Sequence, residues 1–181
     1  MSRTDRPKIP FMVDIETYDV TPSSVILSIG GYLIHPDTEI NPQDTFYVEL
    51  STATQFERTA SQSTIDWWAD QEAAGMPCPR HGVVSLRGGL QMFADWLTSY
   101  QCQPIIWCKG TDFDTAILSH AFKQSGIPVP WRYSDVRDFR TALKMFTQNT
   151  SGKPSHNALD DARVQATVLQ DMARLYNLCL V

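Results

Sequence analysis

The stretch Phe11-Met12-Val13-Asp14-Ile15-Glu16-Thr17 constrains this chain most. It reads as a short buried strand, apolar except for two carboxylates. Side chains alternate across a strand, so Asp14 and Glu16 share a face. Two like charges side by side on a buried strand are unfavourable unless something cationic lies between them. A bound divalent metal is the simplest solution. The rest of the chain can then be searched for residues that reach that metal.

The strand at about 10–16 follows a polar lead-in, residues 1–8. Val25 to Ile34, rich in β-branched residues, predicts a second strand in which Gly30-Gly31 permits a bulge or a close approach. Thr45 to Leu50 alternates and predicts a third. Short connections make these an antiparallel meander. Helical signals follow. Ser51 to Arg58 suggests a short helix, Ser63 caps a second that carries Trp67-Trp68, and Ser85 to Tyr100 repeats Leu86, Leu90, Phe93 and Leu97 at helical spacing. Pro104 to Cys108 predicts a central strand, and Thr111 or Asp112 caps a helix running to about Gln124. Arg132 to Val136 suggests a short edge strand, followed by helices over Asp138 to Phe146 and Asn157 to Leu178. This order implies an α/β fold with a mixed sheet.

At 181 residues the expectation is one domain spanning 1–181. A hydrophobic fraction of 43% and a charged fraction of 19% fit a soluble globular protein. A net charge of −5 argues against a general nucleic-acid-coating protein. The segment from Lys109 to Lys153 is nevertheless +3 by seven basic residues against four acids, leaving the remainder at −8. Such a segment suits either a phosphate backbone or a solvated charged surface. Cys78, Cys102, Cys108 and Cys179 form no C-x-x-C pair and no zinc-ligand spacing, which suggests free thiols in a reducing compartment. The N-terminus has no signal-peptide pattern and no apolar run approaches a membrane span, so a cytoplasmic location is expected.

Two helices offer further ligands. From Asp114, the positions Ile117, Leu118, Ala121 and Phe122 form an apolar stripe, so Asp114 faces inward while Asp112 reads as a cap. From Asp161, the inward positions are taken as Val164, Val168, Met172 and Leu175, with Asp160 a solvated first-turn acid. His156 lies five residues before Asp161. One acid at the head of a stripe is also what a buried cap or salt bridge produces. Four carboxylates and one histidine suit Mg²⁺ or Mn²⁺ rather than zinc.

These motifs resemble the DEDDh family of 3′–5′ exonucleases, which includes polymerase proofreading domains, oligoribonuclease and ribonuclease T. D-x-E-T matches Asp14 to Thr17, the Phe-Asp at a helix start matches Phe113-Asp114, and H-x-x-x-x-D matches His156 to Asp161. Ser28-Ile29-Gly30, Trp67-Trp68 with Gln71, the W-x-x-G-x-x-F-D run from Trp107 to Asp114, and Asp138-x-Arg140-Thr141 are similar to the branch of ribonuclease AS and phage exonuclease A. Lys109-Gly110-Thr111 stands where ribonuclease T has His-Asn-Ala.

The resemblance implies a ribonuclease H-like fold with a central five-stranded mixed sheet flanked by helices. It also implies two-metal phosphodiester hydrolysis that releases nucleoside monophosphates from 3′ ends of single-stranded RNA or DNA. Asp14, Glu16, Asp114, His156 and Asp161 would be catalytic, the four acids holding two Mg²⁺ or Mn²⁺ ions. Asp14 would bridge them and His156 would be the general base. Thr17, Trp67, Trp68, Gln71, Arg140 and Lys153 are candidate substrate contacts. Adjacent tryptophans point about 100° apart, so one should be core and the other near the cleft. An ion pair with Asp138 is the structural alternative for Arg140. Oligomeric state stays open, a homodimer being one arrangement. Two other functional readings remain, a non-catalytic nucleic-acid-binding module and a small-molecule phosphohydrolase.

Overall fold

The structure, a computed structural model, describes residues 6–35, 44–146 and 155–181. Three strands come first: β1 (Lys8–Thr17), β2 (Ile26–Leu33) and β3 (Thr45–Glu49). Helices α1 (Gln62–Ala73) and α2 (Leu86–Ser99) lead to β4 (Gln103–Cys108). Then follow α3 (Asp114–Gln124), the short β5 (Val136–Asp138), α4 (Phe139–Phe146) and α5 (Ala158–Tyr176). The sheet order is β3-β2-β1-β4-β5. β1, β2 and β3 pair antiparallel, whereas β4 runs parallel to both β1 and β5. The sheet is mixed, as the order of elements implied, and has the five strands and flanking helices that the family resemblance implied.

Alternation along β1 divides the molecule into layers. Phe11, Val13 and Ile15 pack with Leu90, Phe93 and Leu97 of α2 and with Leu118 and Phe122 of α3. Met12 turns the other way, with Ile105, Trp107, and Ala162, Ala166 and Leu169 of α5. Asp14 and Glu16 share the Met12 face by the same alternation and so look toward α5. A smaller cluster gathers Trp68 of α1 with Val25, Leu27 and Cys78.

Several local expectations are corrected. Residues 51–58 form a single 3₁₀ turn at Thr52–Thr54 rather than a helix. Tertiary bonds take over there. The amide of Gln55 both accepts from Ile26 N (2.9 Å) and donates to Ile26 O (2.8 Å), and Arg58 Nε donates to Ser24 O (2.7 Å). The cap of α1 is Ser61, whose Oγ accepts from Thr64 N, so Ser63 lies inside the first turn. The expected strand at 132–136 is a 3₁₀ turn at Tyr133–Asp135, and strand pairing begins only at Val136. Asp135 is held back by Gln103, which donates to its carboxylate at 2.7 Å.

The inward stripe of α5 is also rotated from the expected one. Val164 and Leu175 are 47% and 75% exposed, while Ala158, Ala162, Ala166, Leu169, Met172 and Ala173 are buried. Small residues face the sheet because the helix lies close against it. All four cysteines are free, three of them buried. Among the described residues no helix is long and apolar enough to cross a membrane.

Candidate active site

Three elements deliver carboxylates to the same end of the sheet. On β2, Gly30 stands opposite Asp14 and Ser28 opposite Glu16. A Cβ on Gly30 would lie 2.2 Å from the carbonyl carbon of Ala158. Only a glycine there lets the first turn of α5 settle onto the strand beside Asp14.

That turn begins with Asn157, whose side chain accepts from the backbone N–H groups of Leu159 and Asp160. Asp161 follows one turn in. Its Oδ1 accepts from Ser155 N (2.8 Å) and Ser155 Oγ (2.9 Å), and its Oδ2 accepts from His156 N (3.1 Å). These bonds hold His156 in the left-handed region at φ 55°, uncommon for a residue with a side chain. The imidazole stands edge-on to Trp67, with ring centroids 4.7 Å apart. Donor atoms of Glu16, His156 and Asp161 all lie within 4.8 Å of one another. Asp160 turns outward to Arg163, 3.0 Å away.

Asp114 comes from the other layer. It opens α3, where the positive helix end favours an acid. Its Oδ1 accepts from Ile15 N at 3.2 Å, which ties it to the strand between Asp14 and Glu16. The stripe behind it is as expected, with Ile117, Leu118, Ala121 and Phe122 fully buried. The cap is not: Phe113 occupies that position without a side-chain bond, and Asp112 is exposed. Gly110 makes the approach to α3 at φ 133°, a conformation that favours glycine.

Electrostatically the cluster is unbalanced. No ion pair among the described residues involves Asp14, Glu16, Asp114 or Asp161. Burial pushes Asp14 up to about 7, against the opposing bond from Gln165 and with a further rise from Asp161. Burial, then the charges of Asp14, Asp161 and Asp114, push Glu16 to about 9. Asp114 is raised well above the usual carboxylate range by burial and then by Asp14. One buried polar atom beside the pair, Gln165 Oε1, has no hydrogen-bond partner among the described residues. Hard oxygen donors with this much uncompensated negative charge fit a divalent cation.

Next to Glu16 opens a cavity of about 400 Å³, lined in part by Ile15, Glu16, Thr17, Trp67, Trp68 and Phe113. Trp68 is the core member of its pair, 1% exposed, and its Nε1 donates to Thr17 O at 3.0 Å. Trp67 is 38% exposed and faces the opening. Thr17 Oγ1 donates to Asp19 O. Gln71 is not among the residues lining this cavity. Arg140 makes no ion pair with Asp138; its Nη2 donates to Lys109 O at 2.8 Å. The carboxylate of Asp138 instead caps α4 by accepting from Thr141 N and Oγ1. Lys153 lies outside the described residues.

The family model of the 3′–5′ exoribonuclease Rv2179c-like domain matches residues 10–173. The chain belongs to the Rv2179c-like family. No curated protein sequence matches it. Solved structures share the fold of this Rv2179c-like chain at low identity. The nuclease domain of 3′hExo, a DEDDh family member bound to rAMP, superposes with a TM-score of 0.63 at 15% identity, over 96% of this chain and 94% of that one. S. pombe Pop2p, in a form with Mg²⁺ and Mn²⁺ bound, gives 0.63 at 15% identity over 96% and 85%. Cell-death related nuclease 4 (CRN-4) gives 0.62 at 16% identity over 94% of this chain, which spans 65% of the length of CRN-4. The fold is therefore the ribonuclease H-like exonuclease fold.

Within this Rv2179c-like domain, sequence reasoning missed Gln165. It lies four residues after Asp161 on α5, and its Nε2 donates to Asp14 Oδ1 at 2.8 Å. That helical spacing from a proposed ligand was the available signal. The charge of Lys109 also bears on Asp14, lowering its pKa.

Proposed function

We propose that this chain is a divalent-cation-dependent 3′–5′ exonuclease of the DEDDh type. It releases nucleoside monophosphates one at a time from the 3′ end of single-stranded nucleic acid, with RNA the substrate its family favours. The observation that carries this reading is the gathering of Asp14, Glu16, Asp114 and Asp161 from β1, α3 and α5 with no ion pair to any of them among the described residues.

Asp14, Glu16, Asp114 and Asp161 would hold the cations, Mg²⁺ or Mn²⁺, two per site. Bound cations supply neutralisation of the phosphate charge and a more acidic attacking water. The remaining roles fall to the chain itself. The His156 imidazole takes the proton of the water that attacks phosphorus; the P–O3′ bond breaks, the O3′ of the shortened chain takes a proton from solvent, and the terminal nucleotide leaves as its 5′-monophosphate. The backbone bond from His156 N to Asp161 orients this ring. The terminal base enters the cavity beside Trp67, whose edge-on contact with His156 positions both rings. Arg140, anchored on Lys109 O, offers its guanidinium to a phosphate on the 5′ side.

The test is digestion of matched 5′-labelled RNA and DNA oligonucleotides, single- and double-stranded, with Mg²⁺ or with chelator. A ladder of products shortened from the 3′ end, abolished by chelator and by Asp14→Ala, is expected. Binding of RNA with no cation-dependent nucleotide release would leave a nucleic-acid-binding module in its place.

A further inference from the structure

We infer that Gln165 is a positioning residue that fixes the carboxylate of Asp14 for its cations; this rests on the cation-dependent reading above. Gln165 is 6% exposed and sits one helical turn beyond Asp161, so one rigid element carries both a proposed ligand and the side chain that touches its neighbour. The contact exists because Gly30 lets α5 rest on β2 directly opposite Asp14.

The amide has two ends, and they are treated differently. Nε2 donates to Asp14 Oδ1 at 2.8 Å. That bond engages one lone pair, restrains rotation of the carboxylate, and leaves its other lone pairs for cations. A side-chain partner of a metal ligand acts in this way, through direction and basicity. Oε1, on the same amide, is buried with no hydrogen-bond partner among the described residues. A buried acceptor left unmade is unfavourable, so the amide is a poor choice as a packing element. It suits a site that receives a hydrated divalent cation, whose O–H groups are the donors Oε1 lacks.

The experiment is Mn²⁺ binding by calorimetry, without RNA, to the wild-type chain and to Gln165→Leu and Gln165→Met. Urea unfolding in chelator runs alongside. Both variants should bind Mn²⁺ about 10- to 100-fold more weakly. Their unfolding midpoints in chelator should equal or exceed that of wild type, and at saturating Mn²⁺ their kcat should fall while KM for RNA holds. Wild-type Mn²⁺ affinity in both variants would overturn the inference alone. So would a lower unfolding midpoint in both, since the side chain would then be structural. A wild-type chain that takes up no Mn²⁺ would overturn the cation reading and this inference with it.

Discussion

His156 and the two tryptophans beside it separate chemistry, binding and stability at the level of single side chains. Replacing His156 with alanine removes the proposed base but none of the four acids. The expected result is a fall in kcat of about 10²–10⁴ with Mn²⁺ affinity retained, read by turnover and calorimetry on the same sample. Trp67→Ala removes an exposed ring at the cavity mouth. Its KM for RNA should rise by the equivalent of about 1–3 kcal/mol while the urea midpoint holds. Trp68→Ala hollows a core cluster and should cost about 3–5 kcal/mol of stability. The acids make a pH prediction for the metal-free protein. Unfolded carboxyls release protons near pH 4. The folded chain keeps those of Asp14 and Glu16 until about 7 and about 9. Between these limits the folded state binds more protons, so stability falls as pH rises. Thermal midpoints in chelator should therefore decline from about pH 5 to pH 9. Mn²⁺ should flatten the decline, because the ionised form is the ligand. A flat profile in chelator would contradict the burial described for these groups.

Secondary-structure elements set how closely those side chains approach. Gly30→Ala would place a methyl group 2.2 Å from the backbone of Ala158, so α5 must lift away from β2. A loss of about 1–3 kcal/mol is expected from urea unfolding. Mn²⁺ binding should weaken as well, since Asp161 and Gln165 both ride on that helix. The strand pair of acids and the apolar stripe behind Asp114 were legible in the sequence because each follows from a period of two or of 3.6. The stripe of α5 was not. The expected stripe ran through Val164, Val168, Met172 and Leu175, but the helix turns Ala158, Ala162, Ala166 and Leu169 to the sheet with Met172, because Gly30 lets it come close. Residues 51–58 misled for a related reason. Their helical composition yields to Gln55 and Arg58, which bond to backbone on the far side of a chain reversal.

For the molecule as a whole, the sheet brings a set of buried and half-buried acids, with no ion pair among the described residues, to the end where β1, α3 and α5 meet, beside a cavity of about 400 Å³. Cation binding to the folded state alone should stabilise it, by about 2.7 kcal/mol at a hundredfold excess over Kd. The most direct measurement is an anomalous difference map from crystals grown with MnCl₂ and a nucleoside monophosphate. Manganese peaks within bonding distance of Asp14 and at least two of Glu16, Asp114 and Asp161 are expected. Well-ordered carboxylates with no manganese between them, at saturating Mn²⁺, would contradict it.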